Sequence, residues 1–345
     1  MTSETVKPTQ YVPTLADVAR AAGVSTATVS RCLNAPGQVQ KKTRERVLKA
    51  VEELGYSPNF SAQSLAAKRT NTIGAIIPTM ENAIFARGIQ AVQEELARAG
   101  ATLLVASSAY KPDLEIQQIR TLVARGADGL ILIGHERDPA IYDFLERQNV
   151  PVCISWAYDP ARAKPSVGFD NRAAMRAMAQ EVVTRGHRRI AMISARQADN
   201  DRAFERVQGV REAMEAGGLD PADLVVFETD YTIEAGGAAL ASLVANSPGP
   251  SAVICGNDVL AVGAVKAAQK LGLRVPEDIS ITGFDDMELA SVIVPALTTV
   301  HVPHRQMGVL AARQLWKMVT ENTGGDNLRL DTELRIRGSL GRRTR

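Results

Sequence analysis

Residues 14–34 read TLADVARAAGVSTATVSRCLN. Leu15, Val18, Ala19 and Ala22 fall at i, i+3, i+4 spacing and give a first helix one apolar face. Thr14 stands just ahead of it, and Asp17 three residues on completes a capping-box-like start. Gly23 interrupts the pattern and allows a tight turn. Ser25 can cap a second short helix that sends Val29 and Leu33 inward. Ala19, Ala22, Val24 and Val29 are small enough for the two helices to pack closely. The second helix then presents Thr26, Ala27, Ser30, Arg31 and Asn34 outward. A helix of this kind fits the major groove of DNA, where side chains near its N-terminus meet base edges. Arg31 suits bidentate reading of a guanine, while Ser25 and Thr28 suit positioning on phosphate. The motif predicts a helix-turn-helix.

Outward from it, Asn34-Ala35-Pro36-Gly37 is a turn cluster. A third helix is expected from Thr43 to Leu54, burying Val47, Leu48, Val51 and Leu54 and ending at Gly55. Residues 14–58 thus form an all-α headpiece behind a polar tail, 1–13, expected to be disordered. Residues 59–70, NFSAQSLAAKRT, bridge to the rest of the chain with one dominant apolar residue, Leu65. A helix this short is marginal alone in water.

From Ile73 the texture changes to short apolar runs: 73–77, 102–106, 129–133, 150–154, 189–193, 224–227, 251–255 and 278–282. Stretches of helical period lie between them, at 84–99, 112–125, 171–185, 203–217, 233–245 and 258–271. This βαβ rhythm predicts parallel sheets flanked by helices. One sheet of so many strands would be unusually large, so two α/β lobes are expected.

Composition sets the outer limits. With 345 residues, 45% of them hydrophobic, the chain can build several cores. The net charge of +2 conceals an asymmetry: residues 14–70 hold nine Lys/Arg against four Asp/Glu, whereas 71–345 hold 30 against 33. A small basic module on a slightly acidic body suits a nucleic-acid partner for the module alone. Cys32, Cys153 and Cys255 are far apart, form no CxxC pair and read as buried thiols. The four histidines show no HExxH spacing, so neither a metal nor a cofactor is expected. GxGxxG, GxxxxGK[ST] and GxSxG are all absent, and catalysis finds no support. No long apolar run suggests a membrane span, and the polar N-terminus does not resemble a secretory signal. A cytoplasmic location follows as an expectation.

The segment 14–34 resembles the signature of the lactose-repressor/galactose-repressor (LacI-type) family. The resemblance continues through KTRERVLKAVEELGYSPN (42–59), AQSLAAKRTNTIGAIIP (62–78), GVREAM (209–214), residues 257–286 and PALTTV (295–300). It implies a headpiece that reads double-stranded operator DNA through Thr26, Ala27 and Arg31, with Thr14, Ser25, Thr28, Ser30 and Asn34 around them. Ala27 can offer only apolar contact, for example to a thymine methyl. It further implies a hinge helix at 59–70 whose Leu65 wedges into the minor groove. The body resembles periplasmic sugar-binding proteins, with a first lobe of about 71–168 plus 286–320 and a second of about 169–285 plus 321–340. The implied effector residues are Phe85, Arg206, Tyr231, Asn257 and Asp285. Trp156 departs from the pattern: many relatives have an acid there, and an indole would give a ligand a stacking surface. His304 departs too, where relatives often hold an apolar or aromatic side chain. The implied partners are operator DNA, a second copy of the chain and a small molecule: a sugar, a sugar acid or, less favoured, a purine. A transport-type binding protein would share the lobes but lack the basic headpiece. A sugar-modifying enzyme would need a catalytic constellation that the sequence does not show.

Overall fold

The computed structural model describes residues 12–57, 69–81, 83–245 and 249–343. The chain divides into two compact units, Met1–Thr70 and Asn71–Arg345. The expected tail, 1–13, lies outside the described residues except for Val12 and Pro13. The expected hinge helix, with Leu65, lies outside them except for Arg69 and Thr70.

The first unit contains helices α1 (Leu15–Ala22), α2 (Thr26–Asn34) and α3 (Lys41–Leu54). Thr14 and Asp17 form the expected capping box: the Thr14 hydroxyl accepts from Asp17 N, and the Asp17 carboxylate accepts from Thr14 N at 2.9 Å. Gly23 ends α1 at φ 63°, a left-handed conformation that costs a residue with a Cβ about 1–2 kcal/mol. The Ser25 hydroxyl accepts from Thr28 N and so caps α2. Val18, Ala19, Ala22, Val29, Cys32, Val47 and Ala50 form the core. One expectation fails here: Leu48 is exposed, and Ala50 is buried in its place. Ala50 follows Val47 by three residues and shares its face, whereas Leu48 is turned about 100° away by the 3.6-residue period.

The second unit holds two parallel sheets. The first is built from β1 (Thr72–Ile77), β2 (Thr102–Ser107), β3 (Gly129–Ile133), β4 (Val152–Ser155), β5 (Ser166–Gly168) and a later strand, Leu328–Arg329, in the order Leu328–Arg329, β5, β4, β3, β1, β2. Its helices are α4 (Ala83–Arg98), α5 (Pro112–Ala124) and α6 (Pro139–Arg147). The second sheet has β6 (Ile190–Ser194), β7 (Val225–Glu228), β8 (Ala252–Cys255) and β9 (Ser280–Thr282), in the order β7, β6, β8, β9. It is covered by α7 (Asn171–Thr184), α8 (Asp201–Ala216), α9 (Ile233–Ala245) and α10 (Asp258–Lys270). The chain then runs through α11 (Glu288–Val292), β10 (Thr299–His301), α12 (His304–Glu321), β11 (Leu328–Arg329) and β12 (Glu333–Arg335).

Central strands are apolar at every position because both faces are covered. On β3, Ile131 and Ile133 face the core shared with α4 and α12, while Leu130 and Leu132 face Ile119, Leu122, Ile141 and Leu145. On β6, Ile190 and Met192 face Val207 and Val210, while Ala191 and Ile193 face Leu240 and Leu260. All three cysteines are buried free thiols.

The pairings revise the expected lobe limits. β11 joins β5 of the first sheet, so Leu328–Arg329 does not belong with the second lobe. Thr298 and His301 bridge in parallel to Thr282 and Asp285, continuing the second sheet beyond residue 286. These short strands carry too few residues for an apolar period to show in the sequence. Contacts join the lobes directly at several points. Asp201 accepts from His135 N at 2.6 Å, and Arg202 donates to the Ile133 carbonyl at 3.1 Å.

Candidate functional site

In the headpiece, Ser25, Thr26, Ala27 and Arg31 are exposed, and Thr28 and Ser30 are half-buried. Thr26 with Ser30 and Ala27 with Arg31 stand four residues apart, so they stack along one side of α2. Val29 and Cys32 occupy the opposite side, in the core. Thr14 is exposed, but its hydroxyl serves the α1 cap. The Ser25 and Thr28 hydroxyls are 2.9 Å apart and hydrogen bonded to each other. Asn34 is the last residue of α2. Leu65 lies outside the described residues.

The second unit brings all six expected pocket residues around one cavity. It bounds about 340 Å³, part of it open to solvent, and is lined by Phe85, Trp156, Arg206, Tyr231, Asn257 and Asp285. The fold dictates this convergence, since parallel strands send their carboxyl ends into the crevice between sheets. Phe85 comes from α4 after β1, Trp156 follows β4, and Arg206 lies in α8 after β6. Tyr231, Asn257 and Asp285 follow β7, β8 and β9.

Each side chain is held differently. Arg206 is buried; its Nε donates to Asn171 Oδ1 at 2.9 Å and its Nη1 to the Gly256 carbonyl at 2.6 Å. Its guanidinium also lies 3.8 Å from the centroid of the Phe284 ring. Two of its donors are therefore engaged by the protein, and Arg206 acts mainly as a fixed positive charge. Asn257 caps α10, its Oδ1 accepting from Leu260 N at 2.9 Å, while its buried Nδ2 has no partner. Asp285 is 1% exposed, sits at φ 103°, and neither carboxylate oxygen has a partner. Burial pushes its pKa up to about 6, with Arg206 pulling the other way. An unpaired buried carboxylate is costly unless a ligand satisfies it.

Trp156 corrects a second expectation. It is 2% exposed, so it forms the floor of the cavity and not an open stacking face. Its φ is 61°, and its carbonyl accepts from Asn171 Nδ2 at 3.0 Å. A Cβ on Gly88 would come within 2.4 Å of the indole, so only glycine lets α4 approach the ring this closely. Phe85 packs on it with ring centroids 5.5 Å apart. The indole Nε1 donates to His304 Nδ1 at 3.1 Å.

Sequence reasoning missed Ile84, Tyr110, Asn200 and Arg202 among the lining residues. Arg202 precedes Arg206 by one helical turn, a spacing that could have exposed it. Tyr110 follows β2 as the other residues follow their strands, and it meets Tyr231 with ring centroids 5.8 Å apart. A neighbouring bay of the second unit, bounded by His135, Tyr158, Asp170, Arg172 and Glu205, carries charges already paired, as in Arg172 with Glu205. Among the described residues no His/Cys/Asp/Glu group could hold a metal, and no helix is long and apolar enough to cross a membrane.

Comparison with known proteins agrees with both halves. Residues 14–59 match the model of bacterial regulatory proteins of the lacI family, and residues 179–340 match a periplasmic binding protein-like domain. The chain is 32% identical to catabolite control protein A of Priestia megaterium over 310 residues, 90% of this chain and 93% of that protein. It is 33% identical to the HTH-type transcriptional repressor CytR of Escherichia coli strain K12 over 335 residues, 96% of this chain and 98% of that one. The crystal structure of the Lac repressor dimer bound to operator and the anti-inducer ONPF is similar with a TM-score of 0.84 and 28% identity, covering 96% of this chain and all of that one. A reading helix on a capped three-helix unit, joined to two parallel-sheet lobes that meet around buried polar groups, places the chain in the LacI family of DNA-binding transcriptional repressors.

Proposed function

We propose that this repressor works as a homodimer on a near-palindromic operator, and that a small molecule in the cleft between its lobes sets its operator affinity. A sugar or sugar acid is the favoured ligand class, ahead of a purine. The observation that carries this reading is the set of buried, unpartnered polar atoms at one cavity: both oxygens of Asp285 and Nδ2 of Asn257, which line it, with His304 Nε2 behind Asp285. Groups that are costly to bury unsatisfied, set among aromatic rings, make an orienting pocket for a ligand rich in hydrogen bonds.

The dimer draws support from an apolar surface on the second unit. Val292 and Val294 are 71% and 76% exposed, and Leu271 and Leu289 are exposed beside them. Gln269 donates to the Val294 carbonyl, so the end of α10 adjoins this segment. Two copies would present two reading helices, matching the symmetry of an operator with two half-sites. The ligand acts as a switch only through its differential affinity for two arrangements of the lobes. The family resemblance assigns Leu65 to the bridge that reports that arrangement on the DNA.

The test is retention of the full chain on its own upstream DNA while sugars, sugar acids and purines are added. Specific binding that falls steeply with salt and changes with one of these compounds supports the reading. Retention that ignores every compound refutes ligand control, and a chain lacking residues 1–70 that still recognises the site refutes the headpiece assignment.

A further inference from the structure

His304 opens α12 beside two residues that line the pocket, Trp156 and Asp285, and its surroundings fix more than its position. The indole N–H of Trp156 can only donate. His304 Nδ1, 3.1 Å away, must therefore accept, which leaves the proton of the neutral ring on Nε2. The ring is 5% exposed, and burial lowers its pKa to about 3, against a smaller opposing pull from the Asp285 backbone. It is neutral at ordinary pH. Trp156 is itself held by Asn171, Phe85 and Gly88, so the tautomer rests on a rigid support.

Nε2 faces the Asp285 carboxylate at 3.8 Å, too far for a hydrogen bond. Neither atom has a partner. One oxygen lying off that line can reach both at about 2.8 Å. It must accept from Nε2–H and donate to the carboxylate. A hydroxyl does both through one atom. A ligand carboxylate would bring a second negative charge to Asp285, a carbonyl has nothing to donate, and an ammonium has nothing with which to accept.

We propose that His304, locked by Trp156 as its Nε2-protonated form, pairs with Asp285 as a two-point receptor for one ligand hydroxyl, so that the pocket selects polyols and sugars over ligands lacking a hydroxyl at that point. This rests on the cleft being the effector pocket. A sugar acid satisfies it when its carboxylate lies elsewhere, towards Arg202 and Arg206.

The experiment uses the full chain labelled with ¹⁵N on histidine and tryptophan. Two-bond ¹H–¹⁵N spectra at neutral pH, assigned with His304→Gln, should show Nε2 protonated and Nδ1 bare; a proton on Nδ1, or on both, overturns the proposal. Glycerol, D-ribose, D-glucose, D-gluconate and hypoxanthine are then titrated. At least one polyol should move the His304 and Trp156 resonances, while hypoxanthine, which has no alcohol hydroxyl, leaves them in place. His304→Leu should weaken that polyol about tenfold or more, and His304→Gln, which keeps a donor and an acceptor, should restore most of it. Silence from every polyol, an equal response to hypoxanthine, or unchanged affinity in the Leu variant each overturns the hydroxyl receptor. Operator retention measured alongside separates the two readings. A compound that changes retention without moving these resonances leaves ligand control standing and removes this receptor. Resonances that move while retention ignores every compound do the reverse.

Discussion

Arg31 and Asp285 show how much rests on single side chains. Arg31 is exposed on the outer side of α2 with no core role, so Arg31→Ala should leave the headpiece folded. It should cost operator affinity about 1–3 kcal/mol and relax base preference at one position in each half-site, as read by competition among single-base operator variants. Asp285 makes a pH prediction. Its folded pKa of about 6 lies above the ordinary 3.8, so the folded chain holds this proton more tightly than the unfolded chain does. Stability from this group is therefore present below about pH 4 and lost as the pH rises to about 6, a change on the order of 3 kcal/mol. Melting curves of Asp285→Asn should lack that decline in the absence of ligand. A variant whose pH dependence matches the parent would place the titration elsewhere, with Asp258, pushed up to about 8 by burial, the other raised carboxylate.

Among the elements, the turn between α1 and α2 is the most exposed to a single change. Gly23 at φ 63° has nothing within 4 Å of where a Cβ would stand, so Gly23→Ala meets backbone strain and not a clash. It should destabilise the first unit by about 1–2 kcal/mol, seen as earlier loss of helical signal, while the melting of the second unit is unchanged. The same level shows what a sequence can and cannot disclose. The eight apolar runs became strands; the central ones are apolar throughout because both faces are covered, whereas the edge strands β2 and β7 keep exposed positions such as Thr102 and Val225. β5, β10, β11 and β12 have only two or three residues each, and β11 pairs with β5 and β12 with β10 across long stretches of sequence. The expected helices also omit α12, the longest among the described residues, which interrupts its apolar residues with Arg305, Arg313 and Lys317. Asn257 and Asp285 were legible through the family resemblance, and each stands just past the end of a strand. Tyr110, three residues past β2, and Arg202, one turn before Arg206, stand in equivalent places and were passed over, while the indole N–H to His304 is a contact that spacing cannot reveal.

For the whole molecule, the apolar surface and the charge asymmetry carry the prediction. Val292→Asp should shift the chain towards monomer in sedimentation and lower specific operator affinity, while a single headpiece keeps weak, salt-sensitive DNA binding. A variant that stays dimeric would move the interface to another face. Two-unit organisation was visible in composition alone, since the basic residues concentrate before residue 71 and the βαβ rhythm begins after it. The return of β11 to the first sheet was not: the crossing back to the second lobe was expected at 321, and a two-residue strand carries no apolar period to show that the chain is still on the first sheet.

The seat of Trp156 also makes the protein its own optical probe. The chain has two indoles, Trp156 and Trp316, and the second lies on α12 packed against the core. In a Trp316→Phe background, ultraviolet emission would report on the Trp156 environment alone. Occupancy of the cavity should alter its wavelength or quantum yield at the same concentrations that change DNA retention, and constant emission across that range would place the occupant somewhere else.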